Sequence, residues 1–250
     1  MSYDFEWHSM HGDRTDASAK IVLQELTSVF DYQSILDIGC GDGRWLKQAL
    51  NGGVKTIAGV DGPWTDVKSI AIPPDCFYVR DLSKTYDLGR RFDVAICLEV
   101  AEHVAPEHAE QFVASLAAHS DCVLFGAAIP YQGGFRHINE RWQSYWAKLF
   151  AAEGYQVFDL FRERLWANDN VHFWYKQNML LYINETRGDL IEAARNYLAR
   201  ERLSQLPIDI VHPEKYEAIA SYNHIAFRPL LRRLPGQALR KVLSIAARKT

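Results

Sequence analysis

Between Ile35 and Glu99 the chain passes four times through one short cycle, a run of apolar residues that delivers an acid. Ile35-Leu36-Asp37-Ile38 leads into Gly39-Cys40-Gly41-Asp42-Gly43. Thr56-Ile57-Ala58-Gly59-Val60 ends in Asp61, Cys76-Phe77-Tyr78-Val79-Arg80 in Asp81, and Phe92-Asp93-Val94-Ala95-Ile96-Cys97-Leu98 in Glu99. A strand buried on both faces reads as a continuous apolar run rather than an alternating one. Four such runs separated by polar, helix-compatible segments therefore predict a parallel, doubly wound α/β sheet with helices on both sides. A fifth run, residues 122–129, closes at Pro130. Ligands of such sheets bind outside the C-terminal strand ends, where the acids fall.

The first turn is the tightest part of this pattern. Gly39, Gly41 and Gly43 remove side chains where a ligand must approach backbone, and the helix opening at Trp45-Leu46-Lys47-Gln48-Ala49-Leu50 offers unpaired N–H groups. Asp61 lies 20 residues beyond Gly41, where a nucleotide site needs a carboxylate for ribose hydroxyls, and Asp81 lies one strand further on, placed for an adenine amino group. A pyrophosphate would meet Asp37 and Asp42 as like charges, so the corner suits a zwitterionic ligand better.

The remainder of the chain frames this unit. Ile21, Val22, Leu26, Val29 and Phe30 recur at helical spacing and predict a leading helix over 13–30, preceded by an arm with Trp7, His8, Met10 and His11 that reads as a terminus or as a lid. Short helices are expected between the strands, and one over 106–116 carries Pro and acids in its first turn. A helix over 139–152 sets Trp142, Tyr145, Trp146, Leu149 and Phe150 on one side and stops at Gly154. Residues 155–161 and 179–183 read as two late strands able to pair antiparallel, and from Glu185 onward only helices are expected, over 187–204, 213–222 and 228–248. The resulting division is 1–30 for the arm and leading helix, 31–185 for the sheet domain and 186–250 for a helical extension.

Charge is distributed unevenly. From His224 to Thr250 there are seven Lys or Arg and no acid, so the remaining 21 bases face all 31 acids and the body is acidic. That balance argues against a polyanionic partner. The basic tail, interleaved with leucines, reads as a docked helix or as a peripheral membrane contact. Cys40, Cys76, Cys97 and Cys122 lack paired spacing and read as reduced thiols. With neither a signal peptide nor an apolar run of membrane-spanning length, the expected location is the cytoplasm.

Taken in order, Leu36-Asp37-Ile38-Gly39-Cys40-Gly41-Asp42-Gly43, Gly59-Val60-Asp61, Arg80-Asp81-Leu82 and the stretch from Phe92 to Glu99-Val100-Ala101-Glu102-His103 resemble the motif set of the class I S-adenosylmethionine-dependent methyltransferases. The resemblance covers about residues 30–185. It implies a Rossmann-like, mostly parallel seven-stranded sheet with an antiparallel last hairpin. It also implies a cofactor site in which Asp37, Gly39, Cys40 and Gly41 line the methionine portion, Asp61 and Gly62 the ribose, Asp81 and Leu82 the adenine, and Leu98 and Glu99 the floor near the sulfonium. The stretch from Gly133 to Trp146 is similar to small bacterial methyltransferase-domain proteins, which implies a sugar, envelope-precursor or secondary-metabolite acceptor.

Transfer to a hydroxyl needs an in-line approach and a base, and His103 and His137, after the fourth and fifth strands, fall where that base belongs. The set Glu99, Glu102, His103 and His137 is also similar to one that holds a divalent metal in some RNA and ubiquinone-pathway O-methyltransferases. The reading taken is metal-free: a small-molecule O-methyltransferase using S-adenosylmethionine. The alternatives are a metal-assisted RNA 2′-O-methyltransferase and a binding module without turnover.

Overall fold

The structure, a computed structural model, describes residues 3–204 and 206–220, with side-chain surroundings from Asp13 onward. Seven strands form one sheet in the order β3-β2-β1-β4-β5-β7-β6. They are β1 (Ser34–Ile38), β2 (Thr56–Asp61), β3 (Phe77–Val79), β4 (Val94–Leu98), β5 (Cys122–Gly126), β6 (Tyr155–Phe158) and β7 (Leu180–Asn184). The first five are parallel; β7 enters antiparallel between β5 and β6. Strand order reverses at β1, whose neighbours are β2 and β4, so the chain leaves opposite faces there and a crevice opens beyond the strand ends.

Successive strand residues point to opposite faces, and both faces are buried. Ile35, Ile96, Leu124 and Leu181 join the core beneath α1 (Tyr3–Thr27), α2 (Arg44–Asn51) and α7 (Gly188–Glu201). Leu36, Cys97, Val123 and Tyr182 join the other core, beneath α3 (Ala109–His119) and α4 (Gln143–Ala152). There Phe150 stacks on Tyr182 with ring centroids 4.0 Å apart. Fully burying one such side chain contributes about 1.5–3 kcal/mol, which is why the strands are apolar without alternation.

Several boundaries depart from expectation. The helices expected on either side of the third strand are absent among the described residues: a 3-10 turn, Pro74–Cys76, precedes β3, and residues 80–93 run irregularly, with Asp81 and Asp87 carboxylates capping the N–H groups of Ser83 and Gly89. Pro63, Pro73 and Pro74 and these local side-chain bonds compete with helix there. The helix expected from 139 starts at Gln143, because Asn139 and Arg141 donate backbone N–H groups to the carbonyls of Glu102 and Ala128. β6 stops at Phe158, because Asp159 turns to receive Arg162. The polar, aromatic stretch between the late strands holds α5 (Arg162–Leu165) and α6 (Phe173–Asn178).

Residues up to His212 form one compact unit; residues from Pro213 form a second, of which α8 (Pro213–Ala220) is described. The basic tail, its expected helix over 228–248 and the side chains of Trp7, His8, Met10 and His11 lie outside the described residues. No helix among those described is long and apolar enough to cross a membrane.

Candidate active site

A cavity of about 1830 Å³ opens at the C-terminal ends of β1, β2, β4 and β5. Drug-sized ligands occupy roughly 300–1,000 Å³, so the space exceeds one ligand. Asp37, Gly39, Cys40, Gly41, Asp61, Asp81, Leu82, Leu98, Glu99, His103 and His137 all line it. Gly62 does not; its N–H is taken up by Asp61 Oδ1 at 2.6 Å.

The glycine corner is built for backbone approach. Gly39 has φ +80°, and a Cβ there would lie 2.3 Å from Val100 Cγ2, so only glycine fits. Gly39 and Cys40 donate to Val60 O, tying the turn to β2. Asp61, the last residue of β2, accepts Gly41 N–H at 2.7 Å through Oδ2. Asp37, buried in β1, leaves Oδ2 without a hydrogen-bond partner. Burial, followed by the charges of Asp61 and Asp42, holds its carboxyl well above the usual range. A cation seated against this wall would relieve that cost, and an anion would add to it. Asp81 is exposed and already engaged with Ser83 and Lys84, which lower its pKa.

Beyond β4 lies a second cluster. Glu99 adopts φ +59°, a strained conformation for a non-glycine residue, and its carboxylate accepts Asn178 Nδ2 at 2.8 Å and Gln132 Nε2 at 2.7 Å. Desolvation outweighs these amide donors and pushes Glu99 up to about 7. Glu102, 1% exposed, leaves Oε2 without a partner, and burial together with Glu99's charge raises its pKa well above the carboxylate range. The His103 and His137 rings meet edge to face with centroids 4.9 Å apart, and Gly134 makes room, since a Cβ there would lie 2.2 Å from His137 Nε2. Burial, then His137's charge, lowers the His103 pKa, with Nδ1 3.3 Å from Arg136 O. One ligand atom each from Glu102, His103 and His137 lies within 4.8 Å of the others, a carboxylate and two imidazoles compatible with a divalent ion. Glu99 stands outside that group, held by its amides.

Three supports escape a reading of the sequence. Gln132, Gln177 and Asn178 form a buried amide network around Glu99. Glu140 accepts the N–H groups of Tyr131 and Gly133 and contacts His137 Nδ1 at 3.0 Å, fixing the loop after β5. Asp16 and Asp42 neutralise Arg44 at the cavity's edge. Of these only Glu140 leaves a signal in the sequence, an acid three residues after a rim histidine; the amides precede an apolar strand as any polar pair might.

Comparison with known proteins gives the family and agrees with the fold. Residues 10–170 match a family model described as a methyltransferase domain. No curated protein matches the sequence. Among solved structures, DesVI from Streptomyces venezuelae superposes with a TM-score of 0.56 at 14% identity, over 72% of this chain and 97% of that one. An O-methyltransferase family protein from Burkholderia thailandensis gives 0.53 at 14% identity, over 66% of this chain and 55% of its own, so this chain spans about half its length. Magnesium protoporphyrin IX methyltransferase from Synechocystis PCC 6803, solved with S-adenosylhomocysteine, gives 0.51 at 18%, over 70% and 84%.

Proposed function

Because the chain belongs to the class I S-adenosylmethionine-dependent methyltransferases, we propose that it methylates an oxygen of a small-molecule acceptor, with a sugar, an envelope precursor or a secondary metabolite as the acceptor class. S-adenosylmethionine is the donor and supplies an electrophilic methyl on a cationic sulfonium. The residues present fit it: the orphaned Asp37 oxygen and the side-chain-free Gly39 turn suit a cationic ligand lying on backbone. In this reading Asp37, Gly39, Cys40 and Gly41 hold the methionine portion, Asp61 the ribose hydroxyls, Asp81 and Leu82 the adenine, and Leu98 and Glu99 the floor. Gly62 acts through Asp61, whose carboxylate it orients.

The observation that carries the choice of oxygen is the imidazole pair on the cavity rim. A hydroxyl must lose a proton as it is methylated, and His103, whose pKa burial lowers, is able to accept one at Nε2 while Nδ1 faces the Arg136 carbonyl. His137, braced by Glu140, holds the neighbouring position. The acidic body argues against an RNA acceptor, and four free cysteines suit a cytoplasmic protein.

Calorimetry with S-adenosylhomocysteine on wild type and Asp61→Ala tests the shared premise. Loss of the carboxylate is expected to weaken binding about 10- to 100-fold, since a hydrogen bond to a charged group contributes about 1.5–3 kcal/mol. Equal affinity in the variant refutes the assigned pocket.

One observation favours a second reading, the unpartnered Glu102 oxygen beside two imidazoles. With a divalent ion bound, Glu102, His103 and His137 would be its ligands, and the ion would lower the pKa of an acceptor hydroxyl. Turnover that survives EDTA excludes this reading; turnover lost to EDTA and restored by Mg²⁺ or Mn²⁺ replaces the histidine base with it.

A further inference from the structure

Carboxylates line the cavity at the ends of β1 and β2 (Asp37, Asp42, Asp61) and after β4 (Glu99, Glu102), and the loop after β5 adds a guanidinium, Arg136. We propose that the acceptor carries an anionic group, a carboxylate or a phosphate, and that Arg136, braced on Phe135, binds it; this deepens the methyltransferase reading and rests on it.

Among the described residues, two arginines line the cavity. Arg44 is neutralised by Asp16 and Asp42, each at 2.8 Å. Arg136 makes no ion pair with any described residue; its guanidinium lies 5.1 Å from the centre of the Phe135 ring. Cation–π stacking holds a guanidinium flat while leaving its donor edge free, the geometry that grips a carboxylate or phosphate with two parallel hydrogen bonds.

The loop that presents this pair is costly to build. Tyr131 and Arg136 have φ of +69° and +58°, conformations that penalise residues with a Cβ. They are held there by named contacts: Glu140 receives the N–H groups of Tyr131 and Gly133, and Glu102 O receives those of Ile138 and Asn139. His103 Nδ1 lies against the carbonyl of Arg136 itself. The residue placed to take the acceptor's proton is therefore attached to the residue placed to take its charge. An acceptor gripped at its anion by Arg136 has its hydroxyl oriented toward His103 by the same loop. Arg136, which no carboxylate among the described residues pairs, suits a small monoanion or dianion better than a polyanion in so acidic a body.

The test is calorimetric titration of phenyl phosphate, benzoate and phenol into the protein saturated with S-adenosylhomocysteine, for wild type, Arg136→Lys and Arg136→Gln. One or both anions are expected to bind wild type at least tenfold more tightly than phenol, and which of them does so identifies phosphate or carboxylate as the group recognised. Arg136→Gln is expected to reduce that anion to the level of phenol and Arg136→Lys to retain part of the preference, with affinity for S-adenosylhomocysteine unchanged in both. Anions that bind no better than phenol, or equally well to Arg136→Gln, overturn the proposal while leaving the methyltransferase reading intact. Failure of wild type to bind S-adenosylhomocysteine removes that reading and this one with it.

Discussion

Arg162, the first residue of α5, is as thoroughly buried as Glu102 at the head of the cavity, yet the two are treated in opposite ways. Arg162 Nε and Nη2 reach Asp159 at 2.9 and 2.8 Å, and Nη1 and Nη2 reach the carbonyls of Ile208 and Pro207. Glu102, and Asp37 across the cavity, each leave a carboxylate oxygen with no partner. Desolvating a charge costs several kcal/mol in either place. At Arg162 the protein offsets the cost internally and secures the 207–208 segment. At Asp37 and Glu102, which line the cavity, one oxygen of each carboxylate is left without an internal partner and open to a ligand.

That contrast can be broken most forcefully at its satisfied end. Arg162→Ala leaves Asp159 buried without its cation and is expected to cost about 3–5 kcal/mol in urea unfolding, as for other broken buried pairs. A loss under about 1 kcal/mol would mean the pair is not a structural clamp.

The cavity end has a pH signature of opposite sense to that of an ordinary paired carboxylate. Asp37, Glu99 and Glu102 have folded pKa values raised above their unfolded ones, so the native state holds more protons and stability falls as pH rises through each window. For Glu99 the window runs from the model-peptide value of about 4.3 to about 7. Thermal midpoints of the ligand-free protein are expected to fall as pH rises through the Glu99 window, stability dropping by up to about 1.4 kcal/mol per pH unit, with Asp37 and Glu102 acting in the same direction. Glu102→Gln should flatten this slope and become the more stable protein at the alkaline end. A midpoint that rises with pH over the same range would contradict the raised carboxylates.

The smallest effect is expected at the exposed pair of Lys84 and Asp81, where Lys84→Ala should leave the midpoint unmoved. A measurable loss there would mean that exposed pairs share the structural role assigned to Arg162.

The sequence discloses these two regions unequally. The sheet is legible because burial on both faces makes β1, β2, β4 and β5 continuously apolar, and the strand-end positions of Asp61 and Glu99 follow from parallel topology alone. The glycine corner is legible because only glycine fits beneath Val100. What holds Glu99 is not legible. Gln132 and Asn178 come from segments 46 residues apart, joined only once β5 and β7 pair, and amides carry no periodicity. The arginine at 162 looks like any helix-starting polar residue until the fold closes over it. Turns set by single side-chain bonds, such as the late start of α4 at Gln143, fail for the same reason: local propensity is overruled by a long-range carbonyl.

The position of β7 has a consequence for the order in which the protein becomes competent during synthesis. It is the last strand to be made, yet it sits inside the sheet, between β5 and β6. The amides of Gln177 and Asn178 arrive on the segment leading into it. A nascent chain that has emerged only as far as β6 already possesses the glycine turn, Asp61, both rim histidines and Gln132, but its β5 edge is open and its Glu99 lacks the Asn178 amide. The strand ends and glycine turn of the proposed cofactor site are thus made early, and the amide cradle of Glu99 is completed late, by the insertion of one strand.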